Sequence, residues 1–293
     1  MTPVSERILV VGATGHMGHP VLQQLAATGA RVRVLNRRPE PPAVPDGVEV
    51  VAGDLTQPDT LDAALDGIDA VFLVWTAPPA AVDAALDRIA ARGRRVVLLT
   101  SPHKTPHPLF QQPNPMRALH ARIEDRIDAS GAQWTFLRPG MFAINAVSWW
   151  GPQIRSGDVV RWPCMDAPTA PIHEGDVARV AVRALTEDGH AGAEYVLTGP
   201  QSLTQAEQVR IIGEAIGRPL RPVDMSPDEA RRELVPPFPL GAMNMLLDAW
   251  GAATGQPAFV TSTVEDLTGV PPRTFREWAE DHAADFRTAP PAP

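Results

Sequence analysis

The stretch Ile8-Leu9-Val10-Val11-Gly12-Ala13-Thr14-Gly15-His16-Met17-Gly18 decides how the chain folds. Its four leading apolar residues, three of them Ile or Val, predict a short strand buried on both faces. The glycines after it mark a tight turn, and Val21, Leu22 and Leu25 then recur at helical spacing. Strand, turn and helix together make a phosphate-binding turn. Gly12 permits the turn, Gly15 lets the backbone approach a pyrophosphate, and Gly18 lets the helix pack closely on its strand. The helix N-terminus then faces the anion, with Thr14, His16 and Met17 beside it. The spacing is G-x-x-G-x-x-G rather than G-x-G-x-x-G, so the flanking chain has to carry the assignment.

Outward from the turn, Thr28-Gly29 closes the helix, and Arg31–Asn36 alternates polar and apolar residues as a second strand. An NAD-preferring protein carries Asp or Glu at the end of that strand, to accept from the ribose 2′-hydroxyl. Here stand Asn36, Arg37 and Arg38, and a cationic pair suits a 2′-phosphate. NADPH is therefore the expected cofactor, with NADH as the alternative; the bland reading is a decorated surface loop. Pro39–Pro45 reads as a stiff loop and Val48–Val51 as a third strand. Gly53-Asp54-Leu55 follows, then a helix over Pro58–Leu65. Asp54 either accepts from an adenine amino group or caps that helix. Ala70–Trp75 and Arg95–Thr100 read as further strands, with an Ala-rich helix over Ala80–Ala91 between them. The alternation predicts an α/β fold: a Rossmann-type, doubly wound parallel sheet with right-handed crossovers. Thr76 and Ser101 then end their strands on the crevice of the glycine turn, beside the riboses. His103, Lys104 and His107 lie in a proline-flanked loop there, which either positions a ligand or is simply exposed.

A helix over Pro115–Ala129 leads to a strand at Trp134–Leu137 and to Arg138-Pro139-Gly140. Beyond Gly140 the pattern changes to an apolar, tryptophan-rich segment. Trp75, Met141, Phe142, Asn145, Trp149, Trp150 and Trp162 are the expected substrate pocket over the nicotinamide; the other reading of the tryptophans is the core of a small second unit. Residues 1–140, with 172–200 returning, would form the dinucleotide-binding domain. Residues 141–171 and 201–286 would form a smaller, mostly helical substrate domain, and 287–293 a flexible tail. Ile172–Thr186 and Thr204–Ile216 read as helices, Tyr195–Leu197 as a strand, and Leu220–Phe286 as short helices. Of 293 residues, 26 are basic and 34 acidic, a net charge of −8 without a basic block, which argues against a nucleic-acid or anionic-membrane surface. No signal peptide or membrane span is visible, and the single cysteine, Cys164, excludes an intrachain disulfide. The expected setting is the cytoplasm, the expected partner a small molecule, and no metal site is expected; Cys164 reads as a packing residue.

GATGHMG, GDLTQPDTLDAALDGIDAVFLV, SGAQWTFLRPGMFAINAV, IHEGDVARVAVRAL, EYVLTGPQSLTQAE and GVPPRTFREWAEDHAADF together resemble the NmrA-like, atypical short-chain dehydrogenase/reductase family over nearly the whole length. The resemblance implies a Rossmann domain binding NADPH or NADH under a smaller domain that closes on substrate. Family members include quinone, azo-dye and triphenylmethane reductases and dinucleotide-binding regulators. One departure is chemical. Typical short-chain dehydrogenases use a Tyr-x-x-x-Lys pair to move a proton, and those positions here are Met116 and His120. The only tyrosine is Tyr195, in another segment. An acceptor that takes its proton from water, such as a quinone, suits such a site. Alternatively His120, ordinarily titrating near ~6.5, or Ser101 supplies it. The expected activity is an NADPH-preferring reductase of a conjugated apolar molecule, with a non-redox isomerase or cyclase and a dinucleotide sensor as the alternatives.

Overall fold

The computed structural model describes residues 6–38, 43–92, 94–234 and 239–287. The expected frayed start, the Pro39–Pro45 loop and the 287–293 tail lie partly or wholly outside that range. The first part of the chain forms β1 (Arg7–Val11), α1 (Gly18–Ala27), β2 (Arg31–Asn36), β3 (Glu49–Ala52), α2 (Leu61–Leu65), β4 (Ala70–Val74), α3 (Val82–Arg92) and β5 (Arg95–Leu99). The middle forms α4 (Pro108–Gln111), α5 (Pro115–Asp128), β6 (Gln133–Pro139), α6 (Asn145–Ser156), β7 (Val159–Pro163), β8 (Pro168–Thr169), α7 (Glu174–Thr186) and β9 (Ala193–Leu197). The rest forms β10 (Leu203–Thr204), α8 (Gln205–Ala215), β11 (Arg221–Met225), α9 (Pro227–Glu233), α10 (Leu240–Ala253), α11 (Thr263–Thr268) and α12 (Phe275–Asp281).

Seven strands join in one parallel sheet, ordered β3-β2-β1-β4-β5-β6-β9. Its central strands are continuous Ile, Leu, Val and Phe because both faces are covered. On one side α1 and α7 press Val21, Leu22, Leu25, Val177 and Ala181 onto the sheet. On the other, α2, α3 and α5 bring Leu61, Leu65, Leu86, Ile89, Ile123 and Ile127. Strand order reverses between β1 and β4, and a crevice opens at the carboxyl ends there.

A separate apolar cluster gathers α6, β7, α8, α10 and α12 around Trp150, Trp162, Trp250 and Trp278, all fully buried. One expectation for this region is corrected. Arg221–Met225 is not part of a run of short helices but a strand, paired in parallel with Val159–Pro163. Pro222 and Asp224 break its apolar pattern, and a two-stranded sheet tolerates the missing N–H of a proline at its edge.

Behind the crevice lies a buried ion pair. Arg138 of β6 and Glu124 of α5 are both about 1% exposed, and Arg138 Nη2 donates to Glu124 Oε2 at 2.7 Å. Thr100 Oγ1 donates to the other carboxylate oxygen at 2.8 Å. Burial raises the Glu124 pKa, while the Thr100 hydrogen bond and Arg138 oppose that rise. Removing the carboxylate leaves the buried Arg138 guanidinium with only the partly exposed Glu194, at 3.0 Å. Glu124→Ala is expected to lower the unfolding free energy by about 3–5 kcal/mol in urea titrations. Arg126→Ala, which breaks half-exposed pairs with Asp83 and Asp87, should cost only about 0–1 kcal/mol. Equal effects of the two would show that the Glu124 pair is solvated.

Candidate active site

The glycine turn is built on a backbone contact. Gly12 adopts φ +87°, in the left-handed region, and its carbonyl accepts from Gly15 N at 3.1 Å. A Cβ on Gly18 would lie 2.1 Å from that same carbonyl oxygen, so only glycine lets α1 start this close to β1. The turn backbone, with Thr14, His16 and Met17, forms the floor of a cavity of about 390 Å³. Asn36, Arg37 and Arg38 line it from the end of β2, Asp54 and Leu55 after β3, and Thr76 after β4. Phe142 and Asn145 close the opposite wall.

Asn36 is buried, and its Nδ2 donates to the Arg38 carbonyl at 2.7 Å, which fixes the backbone that carries both guanidiniums. Arg37 and Arg38 are exposed at the rim, and among the described residues neither pairs with a carboxylate. Asp54 Oδ1 accepts from Thr56 N at 2.8 Å and from Thr56 Oγ1 at 2.9 Å. Its carboxylate therefore closes the turn before the next helix while standing on the cavity wall.

A second cavity of about 190 Å³ lies beside the first. The segment 140–145 contributes to both: Gly140 and Met141 to the second, Phe142, Ile144 and Asn145 to the first. Leu109, Phe110, Met141, Met245, Leu246 and Ala249 make its walls apolar, and Ser101, His103, Gln112, Asn114 and Arg117 are its polar residues. Ser101 thus lies on the second cavity and not on the first, where it was expected to meet a ribose. Its Oγ is 3.4 Å from His103 Nδ1. Burial lowers the His103 pKa, and the nearby Arg138 charge adds to that, so the ring is neutral at pH 7. The loop around it is not an idle polar surface. Lys104 pairs with Glu194 at 3.1 Å, and His107 caps α4 while facing the Pro257 carbonyl at 3.1 Å.

His120 lines neither cavity. Its Nδ1 is buried without a hydrogen-bond partner, and burial, with His103 adding to it, pushes the pKa down to about 4. The ring is neutral at pH 7, so the expected titration near 6.5 is corrected and no imidazolium stands there to give up a proton. Met116, in the other position of the missing pair, is exposed. The Tyr195 hydroxyl meets His190 Nδ1 at 2.8 Å, on neither cavity.

The tryptophans also differ from expectation. Trp150 and Trp162 are core residues with no face left for a ligand. Trp149 stacks on Trp162 at 5.8 Å and meets Trp250 edge-on at 5.4 Å. Trp75 turns away from the crevice, donating to the Ala77 carbonyl at 2.7 Å and packing on the α2–α3 side. Their large apolar surfaces gain most from complete burial. Met245, Leu246 and Ala249 of α10 take the wall positions in their place. The one available signal was the methionine-bearing run Leu240–Leu247, since Met fills adaptable apolar surfaces.

Comparison with known proteins decides the family. The profile of a family described as NAD(P)H-binding matches residues 12–188. The chain belongs to this NAD(P)H-binding family. It is an NAD(P)H-dependent oxidoreductase, as its motifs suggested. It is 41% identical over 286 residues to (4-alkanoyl-5-oxo-2,5-dihydrofuran-3-yl)methyl phosphate reductase of Streptomyces griseus, covering 95% of this chain and 99% of that one. It is 35% identical over 301 residues to NAD(P)H azoreductase of Xenophilus azovorans, covering 96% and 100%. In fold it resembles the Escherichia coli NADPH-dependent quinone oxidoreductase in complex with NADPH, with a TM-score of 0.78 at 22% identity over 94% of this chain and 99% of that one. The Citrobacter triphenylmethane reductase complexed with NADP(H) gives the same TM-score at 19% identity over the same shares.

The first cavity suits an NAD(P)H of this family. Its floor is backbone that a Cβ at Gly12 or Gly18 would disrupt, and its rim holds guanidiniums without counter-ions. Among the described residues no helix is long and apolar enough to cross a membrane.

His120 links this site to acid stability. Its folded pKa of about 4 lies below its ordinary 6.5. The stability it contributes is therefore complete above about pH 6.5 and is lost as pH falls toward 4. His120→Gln, which does not titrate, is expected to flatten the fall of the urea midpoint between those pH values. Parallel pH profiles of the two proteins would show that the ring charges freely in the folded state.

Proposed function

We propose that the protein is a cytoplasmic, NADPH-preferring reductase of a conjugated or quinone-like apolar small molecule. The observation that carries this reading is the pairing of two cavities across Gly140–Asn145: one with unpaired Arg37 and Arg38 at its rim, one walled by apolar side chains. The turn from Gly12 to Gly18 holds the pyrophosphate, Arg37 the 2′-phosphate, Asp54 the adenine side and Thr76 a ribose. The bound dinucleotide supplies a hydride. Met141, Leu109, Phe110, Met245 and Leu246 give the acceptor's flat ring an apolar wall to lie against. Ser101 is the hydroxyl that this wall presents, and no tyrosine acid stands with it.

That poverty of acids selects the acceptor. A simple ketone needs a positioned proton as hydride arrives, whereas a quinone or an unsaturated carbonyl delocalises the charge and takes its proton from water. The relatives support this class of acceptor. One is named for reducing a 4-alkanoyl-5-oxo-2,5-dihydrofuran that carries a methyl phosphate, another for reducing azo compounds.

Steady-state oxidation of NADPH with a panel of naphthoquinones and unsaturated lactones tests the reading, and turnover with at least one of them is expected. Tight NADPH binding without oxidation by any acceptor would sink it and leave a dinucleotide sensor. Arg37→Ala is expected to weaken NADPH by about 1–3 kcal/mol and to leave NADH almost unchanged by calorimetric titration. Equal losses for both dinucleotides would remove Arg37 from the 2′-phosphate.

A further inference from the structure

We infer that Arg117, with the side-chain amide of Asn114, recognises an oxyanionic substituent, a phosphate monoester, on the acceptor held in the second cavity. The inference rests on the reductase reading above, in which one relative is named for a phosphate-bearing acceptor, and adds to it the side chains of this chain that would recognise such a group. Arg117 is half-buried on a wall formed largely by Leu109, Phe110, Met141, Met245 and Leu246. Among the described residues no carboxylate pairs with it, and the first turn of α5 contains no acidic residue. The contrast lies on the same helix, where Arg122 pairs with Asp83 and Arg126 with Asp83 and Asp87. A guanidinium half-buried among apolar side chains on a cavity wall, meeting none of the chain's 34 acidic side chains among the described residues, is available to an anionic ligand.

Its neighbours agree in chemistry. Asn114 Oδ1 is already committed to Met116 N at 2.8 Å, which sets the amide's orientation and leaves its Nδ2 as a donor. His103, on the same cavity, is held neutral, so it adds no second positive charge to that of Arg117. The cavity's volume of about 190 Å³ holds a small ring with a short chain, so the charged group sits at the polar rim. The guanidinium fork and the amide offer donors from two side chains, and the three terminal oxygens of a phosphate monoester can accept from both at once.

Two acceptors matched except for charge test this: an alkanoyl 5-oxo-2,5-dihydrofuran carrying a phosphomethyl group, and the same lactone carrying hydroxymethyl. The expected ratio of their kcat/KM values with NADPH is about tenfold or more in favour of the phosphate. Arg117→Ala should bring the ratio to about one, and Arg117→Lys should keep part of it. Phenyl phosphate is the second probe. It should compete with the acceptor and not with NADPH, and calorimetry on NADPH-saturated protein should show its affinity falling about tenfold in Arg117→Ala. A ratio unchanged by the substitution, or phenyl phosphate binding that ignores it, overturns the inference. If no acceptor is reduced at all, the reductase reading fails by itself, and the phenyl phosphate titration still decides whether Arg117 binds an oxyanion.

Discussion

The constraint on which the crevice depends is the approach of Gly18 to the carbonyl of Gly12, where backbone meets backbone with no side chain between. That contact sets α1 directly against β1 and aims the start of the helix at the crevice. Parallel register does the rest. Val11 of β1 stands level with Leu35 of β2 and Leu73 of β4, so the residues just beyond each strand emerge on one rim. Arg37, Thr76 and the glycine turn share a cavity for this reason, although they are far apart in the chain. Move α1 outward by the width of a methyl group and the floor of that cavity loses its shape.

Where the fold is carried by repeated local signals, it was legible in the sequence. Arg31–Asn36 alternates as a half-buried strand should, and Ala70–Val74 and Arg95–Leu99 are continuous apolar runs that only a covered parallel sheet accommodates. What stayed hidden depends on tertiary contacts. Arg221–Met225 is a strand because Val159–Pro163 lies beside it, and its own residues do not say so. Trp150 and Trp162 look like pocket residues in sequence because an aromatic can serve either a ligand or a core, and only the surrounding helices settle which. The same limit applied to His120. Its position in the chain suggested a proton donor, whereas its pKa follows from burial beside His103.

In place of a tyrosine acid, the protein invests its buried polarity in holding the crevice still. Glu124 gathers Thr100 and Arg138, and Lys104 and Arg138 both reach Glu194, so the end of β5, the loop after it and the end of β6 are tied into one network. Ser101 and His103 sit inside that tie. A buried pair of this kind contributes little net stability over an apolar replacement, but it fixes geometry, since any displacement exposes a charge to a poor solvent. Under the proposed reading, in which the acceptor takes its proton from water, the site depends all the more on orientation, and this network holds the loop ends that set it.

The charge balance sharpens the same point. With a net charge of −8 the whole protein opposes an approaching anion, yet both cavities carry guanidiniums without partners on their walls. Range decides between these effects. At physiological salt the diffuse negative charge is screened beyond roughly 8 Å. A phosphate within about 4 Å of a guanidinium near the protein surface gains on the order of 4 kcal/mol before desolvation is subtracted. The local cation therefore wins once the ligand has arrived, and the acidic surface acts only on ligands that fit neither cavity. Selectivity in such a protein depends on which uncompensated arginines line a cavity that fits the ligand, and Arg37, Arg38 and Arg117 stand on the two cavities that Gly140–Asn145 contributes to.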